Sequence, residues 1–428
     1  MRTLLVPVFY VSLAAVCLAN TPEAESKTAP EWRKNYEAGL EASRLQHYDE
    51  ALSLFQNNWD HARSDEERGV VSLALGQIYH HLGRHKDAAQ WFDRALHAWS
   101  AESMYHDPRQ SLMAAVSAVD LADSFRDTGD YDHSELTLRQ ALTAPAADEA
   151  PKAMVRNSLA DLLREEGRDA EAEPVFNENL KDPSSSPHDR GGSLIGIADI
   201  ERRRHAWDAS VEHWNQALEI NRRAGDSRSE AIALRGLAIT WLDSGSPARA
   251  EPLLKRSAQI IENLPEPAPE QLASTLSGLG ELYRFENKLT LAENEWTKAL
   301  QLDRNELGEV HPQVAWLMEM LADVISARGE FSVACDYANR AAEAMSAAFG
   351  ADSMPFAAAL TNRALVEERA TRFDEAAQDY QRAIGIARDH ASNRTLYAAM
   401  LQRYADFLKA AHRGREAKAI AIEARSFR

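Results

Sequence analysis

The sequence predicts an all-α protein, a right-handed superhelical solenoid of about ten helix–turn–helix repeats. Two observations predict this fold. Apolar and small residues recur at helical spacing along nearly all of the 428-residue chain. The breaks between these helical segments return about every forty residues, which is typical of solenoids built from stacked helix pairs. Each repeat is therefore expected to bury its apolar face against its neighbours.

The clearest repeat spans residues 72–98. Its first predicted helix carries a leucine, a small residue and an aromatic residue on one face, and its second helix carries an aromatic residue between two alanines. These residues are Leu75, Gly76, Tyr79, Ala88, Phe92 and Ala95. Gly83 lies between the two helices, where glycine adopts a positive φ without strain. The small side chains allow the two helix backbones to approach closely.

The same pattern returns in ten copies with the same relative spacing of key residues, and so many copies would not stay in register by chance. We use the small residue of each first helix as the reference position. In chain order it is Gly39, Gly76, Ala122, Ala160, Ala198, Ala238, Gly280, Ala322, Ala364 and Ala405. The first copy is degenerate. The repeats are predicted to fill residues 31–428, with a flexible joint at the Pro/Ser-rich segment 181–192.

These residues and offsets resemble the tetratricopeptide repeat (TPR) family. In the second half of the chain the reference residues are 42 positions apart, from Gly280 to Ala322 and from Ala322 to Ala364. This longer spacing resembles the kinesin-light-chain type of repeat. The resemblance implies a scaffold or adaptor that binds a protein or peptide partner in its groove, with no catalysis and no cofactor.

The first twenty residues differ from the rest and predict a secretory signal peptide, residues 1–20. A short apolar run ends at Cys17-Leu18-Ala19, which fits a small-x-small cleavage pattern. The run is too short and too broken for a comfortable membrane span. We therefore expect a periplasmic or secreted protein with a short linker at 21–30. An uncleaved anchor and a lipoprotein modified at Cys17 are the alternatives.

Charge and chain ends restrict the partners. The net charge of −18 argues against binding to nucleic acid or to anionic membranes, because both attract clusters of Lys and Arg. After signal cleavage only Cys335 would remain, so we expect it to be a small buried side chain and not a disulfide.

The last copy has no capping helix, which would leave Phe427 uncovered. End-to-end self-association through this C-terminus is therefore a further hypothesis.

The charged residues of the first helices form a second, subtler repeat. Offsets −3, +1 and +4 from the reference residue point away from the buried face, toward the groove that stacked repeats use for binding. An acid commonly stands at +1 and an arginine at +4. With the aromatic Trp316 as a possible anchor, the candidate groove residues are Asp123, Arg126, Asn157, Asp161, Arg164, Asp199, Arg202, Arg235, Glu281, Arg284, Trp316 and Asp323.

Two interpretations of the acid–x–x–Arg pairs remain open. As i,i+3 ion pairs they would steady their own helices by about 0.2–0.5 kcal/mol each. As a ladder they would present guanidinium groups to a peptide, since arginine binds carboxylates in a bidentate manner. The second interpretation predicts that Arg126, Arg164 and Arg202 form the most concentrated contact region.

Sequence motifs for chemistry are weak. His80, His81 and His85 are close in sequence, but Gly83 ends the helix between them, so we expect no metal site. The chain has no phosphate-binding glycine loop, nucleophile elbow or zinc-protease motif.

Two alternative functions stay open beside the partner-binding scaffold. One is a helical-repeat hydrolase that uses groove carboxylates such as Asp161 and Asp199. Such an enzyme needs two carboxylates at catalytic separation, one of them with a raised pKa. The other is a regulatory TPR module of a signalling system, for which the chain shows no effector or DNA-binding domain.

Overall fold

The computed structural model describes residues 30–99, 107–144, 148–265, 267–389 and 394–426. Within these ranges the chain forms twenty α-helices and no β-strand. The helices follow one another as ten pairs, so the predicted all-α repeat fold is confirmed. The predicted signal segment 1–20, the linker at 21–29 and Phe427 lie outside the described residues. Export and end-to-end self-association therefore stay predictions.

The ten pairs follow the predicted copies in order. We call the odd-numbered helices first helices and the even-numbered ones second helices. In chain order they are α1 (Pro30–Arg44), α2 (Tyr48–Asp60), α3 (Asp65–His81), α4 (His85–Trp99), α5 (Pro108–Asp127), α6 (Tyr131–Thr143), α7 (Lys152–Glu165), α8 (Asp169–Lys181), α9 (Pro187–Arg203), α10 (Trp207–Ala224), α11 (Ser227–Asp243), α12 (Pro247–Glu262), α13 (Pro269–Phe285), α14 (Leu289–Leu307), α15 (Pro312–Ala327), α16 (Phe331–Phe349), α17 (Met354–Arg369), α18 (Phe373–Asp389), α19 (Arg394–Ala410) and α20 (Gly414–Ser426).

The chain divides into two compact units, Met1–Ser229 and Glu230–Arg428. In each unit a first helix packs against its own second helix and against the second helix of the preceding repeat. First helices of adjacent repeats also touch. We call α3, α5, α7 and α9 the unit 1 row, and α15, α17 and α19 the unit 2 row. The segment around 181–192 lies inside unit 1 and connects α8 to α9. Its flexibility stays a prediction.

The turn inside each repeat has one left-handed residue, two positions after the first helix ends. In five repeats it is a glycine, as at Gly83 with φ of 71°. In the other five it is a larger residue: Gln46, His205, Asn287, Thr371 and His412. A left-handed conformation costs a residue with a Cβ about 1–2 kcal/mol. All ten turns therefore keep one backbone shape, although half of them lack the residue that adopts it freely.

In the repeats whose reference residue is glycine, a bulky second-helix side chain fills the space beside it. A Cβ added at Gly76 would lie 2.5 Å from the ring of Phe92, and one added at Gly280 would lie 2.5 Å from Trp296. Both aromatic rings are completely buried. Cys335 is buried, as expected for a small core side chain. Among the described helices, none combines the length and the apolar character needed to cross a bilayer.

We predict that Gly280→Ala destabilises unit 2, because the new methyl group would overlap the indole of Trp296. Overpacking a close-packed core costs about 1–3 kcal/mol. The measurement is the urea midpoint of unfolding, followed by circular dichroism.

The matched control is Gly385→Ala in α18. A Cβ at Gly385 meets no atom within 4 Å. Replacing an exposed helical glycine by alanine gains about 0.5–1 kcal/mol, so the midpoint should rise. Equal shifts for the two variants would contradict this account of the core.

Candidate functional site

Acid–arginine pairs line three first helices of the unit 1 row. Asp123 pairs with Arg126 on α5 at 3.0 Å. The equivalent pair on α7 joins Arg164 to Asp161 at 3.0 Å, and on α9 Arg202 to Asp199 at 2.8 Å. The six residues at offsets +1 and +4 therefore meet within their own helices, as i,i+3 spacing allows.

Further bonds join neighbouring helices of the row. The Nη1 of Arg164 donates a hydrogen bond of 2.8 Å to Oδ2 of Asp199, so one guanidinium holds carboxylates from two repeats. Arg126 approaches Glu165 of the next repeat at 3.8 Å. Arg203 donates to the carbonyl of Arg164 at 3.2 Å. Glu165 and Arg203 are not among the predicted groove residues. Both stand at offset +5, which the predicted groove offsets do not include.

Burial strengthens the electrostatic interactions within this network. The side chain of Arg164 is only 14% exposed. Burial alone would raise the pKa of Asp199, but the nearby guanidinium groups of Arg164 and Arg202 outweigh it and lower that pKa. A lowered pKa is the opposite of what a catalytic acid requires. The geometry therefore gives no support to Asp161 and Asp199 as a hydrolytic pair.

Asn157 is a candidate for binding a peptide backbone, and its side chain already forms hydrogen bonds within unit 1. Its Nδ2 donates to the carbonyl of Asp189 at 2.9 Å. Its Oδ1 accepts hydrogen bonds from Asn179 and Ser193. These bonds tie α7 to α8 and α9, a structural role that the sequence did not predict. Partner binding at Asn157 stays a prediction.

The five candidates of unit 2 differ in exposure. Arg235 and Glu281 are half-buried and Arg284 is exposed. Trp316 is half-buried and packs against the apolar core. Asp323 accepts a hydrogen bond of 2.7 Å from Arg369, which links α15 to α17.

A pocket of about 240 Å³ opens beside these residues in unit 2. Arg284 of α13 lines it, together with Met320 and Asp323 of α15 and Val366 of α17. The lining also includes three polar groups that are not among the predicted groove residues, Glu319, Asn362 and Arg363. Glu319 stands at offset −3, so the groove pattern could have found it. Asn362 stands at offset −2, outside that pattern.

The carboxyl group of Glu319 has an unusual environment in this pocket. Burial raises its pKa to about 7, although a hydrogen bond from Asn362 opposes the rise. That bond, from Nδ2 of Asn362 to Oε2 of Glu319, measures 2.8 Å. A carboxyl group with a pKa near neutrality can donate or accept a hydrogen bond at the same position.

Three residues at the start of the unit 1 row could hold a metal ion. The ligand atoms of His80, His85 and Asp127 lie within 4.8 Å of one another. The sequence separates these residues by a helix end and by a whole repeat. The turn at Gly83 and the packing of α5 bring them together.

Comparisons with known proteins agree with the repeat architecture. Two family models, both described as tetratricopeptide repeat, match this chain. The first matches residues 189–263 and 271–347, and the second matches residues 36–103, 119–187 and 336–391. A comparison with curated proteins gives no match.

Several solved structures are similar to this chain. BtubC from P. vanneervenii is 20% identical with a TM-score of 0.47, covering 52% of this chain and 91% of its own. A tetratricopeptide repeat protein from Parabacteroides merdae is 15% identical with a TM-score of 0.47, covering 69% and 100%. The apo form of RapI is 11% identical with a TM-score of 0.48, covering 64% and 98%.

We predict that Arg164→Ala destabilises unit 1, since it leaves the carboxylates of Asp161 and Asp199 without their shared guanidinium. Removing one member of a largely buried ion pair costs several kcal/mol. Because the side chain keeps some contact with water, we expect about 2–3 kcal/mol, measured by urea unfolding.

The control is Arg223→Ala on α10. Arg223 also forms a close pair, with Glu219 at 2.6 Å, but its side chain is 79% exposed. An exposed pair contributes under about 1 kcal/mol. A loss at Arg164 as small as that at Arg223 would show that the unit 1 row does not stabilise the fold.

Proposed function

Because this chain belongs to the tetratricopeptide repeat family, we propose that it is an exported scaffold that binds a protein or peptide partner along its first helices. Repeats of this family serve protein–protein interaction as stacked helix pairs, whose surface offers extended contact to a partner.

The observation that carries the proposal is the pocket of unit 2. Its apolar lining includes Met320, Leu365 and Val366, while Arg284, Glu319 and Asn362 supply polar groups. An apolar pocket with a few convergent polar groups is typical of binding sites. We infer that an apolar side chain of the partner enters between α15 and α17. Arg284 and Asn362 are exposed and can bond the partner's backbone or a carboxylate.

The unit 1 row supports a different role. Its arginines already hold carboxylates of their own and neighbouring helices. A partner that captured Arg164 would have to replace bonds to Asp161 and Asp199. Such an exchange gains little, because bonds of the same kind are broken and formed. We therefore propose that Arg126, Arg164 and Arg202 mainly order the surface, and that unit 2 contributes more of the affinity.

Export rests on residues 1–20, whose short apolar run and Cys17-Leu18-Ala19 site are typical of a secretory signal. We propose a periplasmic or secreted location for the mature chain. The partner would then be a protein of that compartment. A retained anchor and a lipid attached to Cys17 are outcomes that the localisation experiment separates.

We predict that Arg284→Ala combined with Asn362→Ala weakens partner capture. The full chain, tagged at its C-terminus, is crosslinked in its native cells, and the partners are identified by mass spectrometry. Loss of central interface contacts costs more than about 1 kcal/mol. We therefore expect recovery of the specific partner to fall about fivefold or more.

Two other variants control this experiment. Arg256→Ala removes an exposed arginine of α12 and should leave capture unchanged. The triple change of Arg126, Arg164 and Arg202 to Ala tests the unit 1 row, with circular dichroism to check folding. Full recovery by the folded pocket variant, with loss in a folded triple variant, would move the site to unit 1.

We predict that cell fractionation finds the chain outside the cytoplasm and without residues 1–20. Mass spectrometry of the N-terminus reads the cleavage position, and deletion of residues 1–20 should retain the protein in the cytoplasm. A lipidated N-terminal Cys17 in the membrane fraction would favour a lipoprotein. An intact N-terminus in the cytoplasm would contradict export.

A further inference from the structure

We propose that His80, His85 and Asp127 form a binding site for a divalent transition-metal ion, with Zn²⁺ as the best match. Imidazole nitrogens and a carboxylate oxygen are ligands that Zn²⁺ uses in proteins. Their three ligand atoms lie within 4.8 Å of one another in unit 1. This site is separate from the pocket of unit 2 and does not depend on the identity of the partner.

Local structure explains why the two histidines meet. His80 is in the last turn of α3, and His85 is the first residue of α4. Gly83 between them has a φ of 71°, which folds the chain back tightly. The two imidazole rings therefore meet edge to face, with their centroids 4.9 Å apart. Asp127, the last residue of α5, brings the carboxylate from the next repeat.

The distances from the Asp127 oxygen to the two histidine nitrogens are near those of a tetrahedral ion. Nε2 of His80 is 2.9 Å from Oδ2 of Asp127, and Nδ1 of His85 is 3.6 Å from the same oxygen. With metal–ligand bonds of about 2.0–2.2 Å, ligand atoms of a regular tetrahedron are about 3.3–3.6 Å apart. Three protein ligands leave a fourth position for water or for a group of a partner.

Burial and charge also favour a cation. The side chains of His80 and Asp127 are 10% and 6% exposed, and that of His85 is 29% exposed, which gives an approach from solvent. Asp120 and Asp123 act electrostatically on His80 from the same helix as Asp127. The positive charge of Arg126 faces Asp123, Asp127 and Glu165 together. The acids around His80 favour a positive charge at the site, which a divalent ion would supply.

The rival explanation is a plain hydrogen bond between His80 and Asp127, which the 2.9 Å contact would also describe. His85 separates the two explanations. The bond between His80 and Asp127 survives without His85, whereas a three-ligand site loses one of its ligands. A bound ion would also fasten α3 and α4 to α5, so it would link the second and third repeats.

The test uses the untagged full chain, stripped with EDTA and titrated with ZnCl₂ in a calorimeter. We expect one Zn²⁺ per chain and a rise in the thermal midpoint of unfolding, because an ion that binds only the folded state stabilises it. His85→Asn and Asp127→Asn should each weaken Zn²⁺ binding by at least about tenfold. The absorption spectrum of the Co²⁺ form checks for tetrahedral coordination.

The matched control is His97→Asn, which removes an exposed histidine of α4 and should leave the affinity unchanged. Circular dichroism confirms that each variant is folded. A chain that takes up no Zn²⁺ would overturn the proposal. So would a folded His85→Asn variant that binds Zn²⁺ as the wild type does, because the ion would then lie elsewhere.

Discussion

Close approach of the two helices in every repeat is the constraint on which the rest of this structure depends. A residue with little or no side chain at the reference position lets a second-helix side chain fill the space, as Phe92 does against Gly76. Burying such a ring removes a large apolar area from water. Because the described residues form no disulfide, helix packing of this kind holds each unit together.

The sequence predicts those elements of the fold that depend on local spacing. Helix pairs, the reference residues and the direction of the +1 and +4 side chains all follow from the 100° step of a helix. Contacts between repeats do not follow from it. The bond from Arg164 to Asp199 joins residues 35 positions apart, and Asn362 reaches Glu319 across 43 positions. Such pairs depend on how far one repeat is rotated against the next, which local periodicity does not encode.

The same limit explains the two sites that the sequence did not reveal. The offset of a carboxylate does not show whether it is buried, and Glu319 and Asp127 gain their chemistry from neighbours in other helices. Conversely, Asp123 and Arg126 carry a conspicuous motif but pair with each other. In this chain the regular charge pattern marks ion pairs between neighbouring side chains, whereas both proposed binding sites contain largely buried carboxyl groups.

The shared left-handed turn has a consequence for the history of the chain. All ten turns have the same backbone shape, although the segments between them differ in length. Duplicating or deleting a segment that runs from one turn to the next therefore leaves the backbone of the turn at the joint unchanged. Array length can change in steps of one helix pair without redesign of the turn, while the exposed residues of each repeat diverge independently.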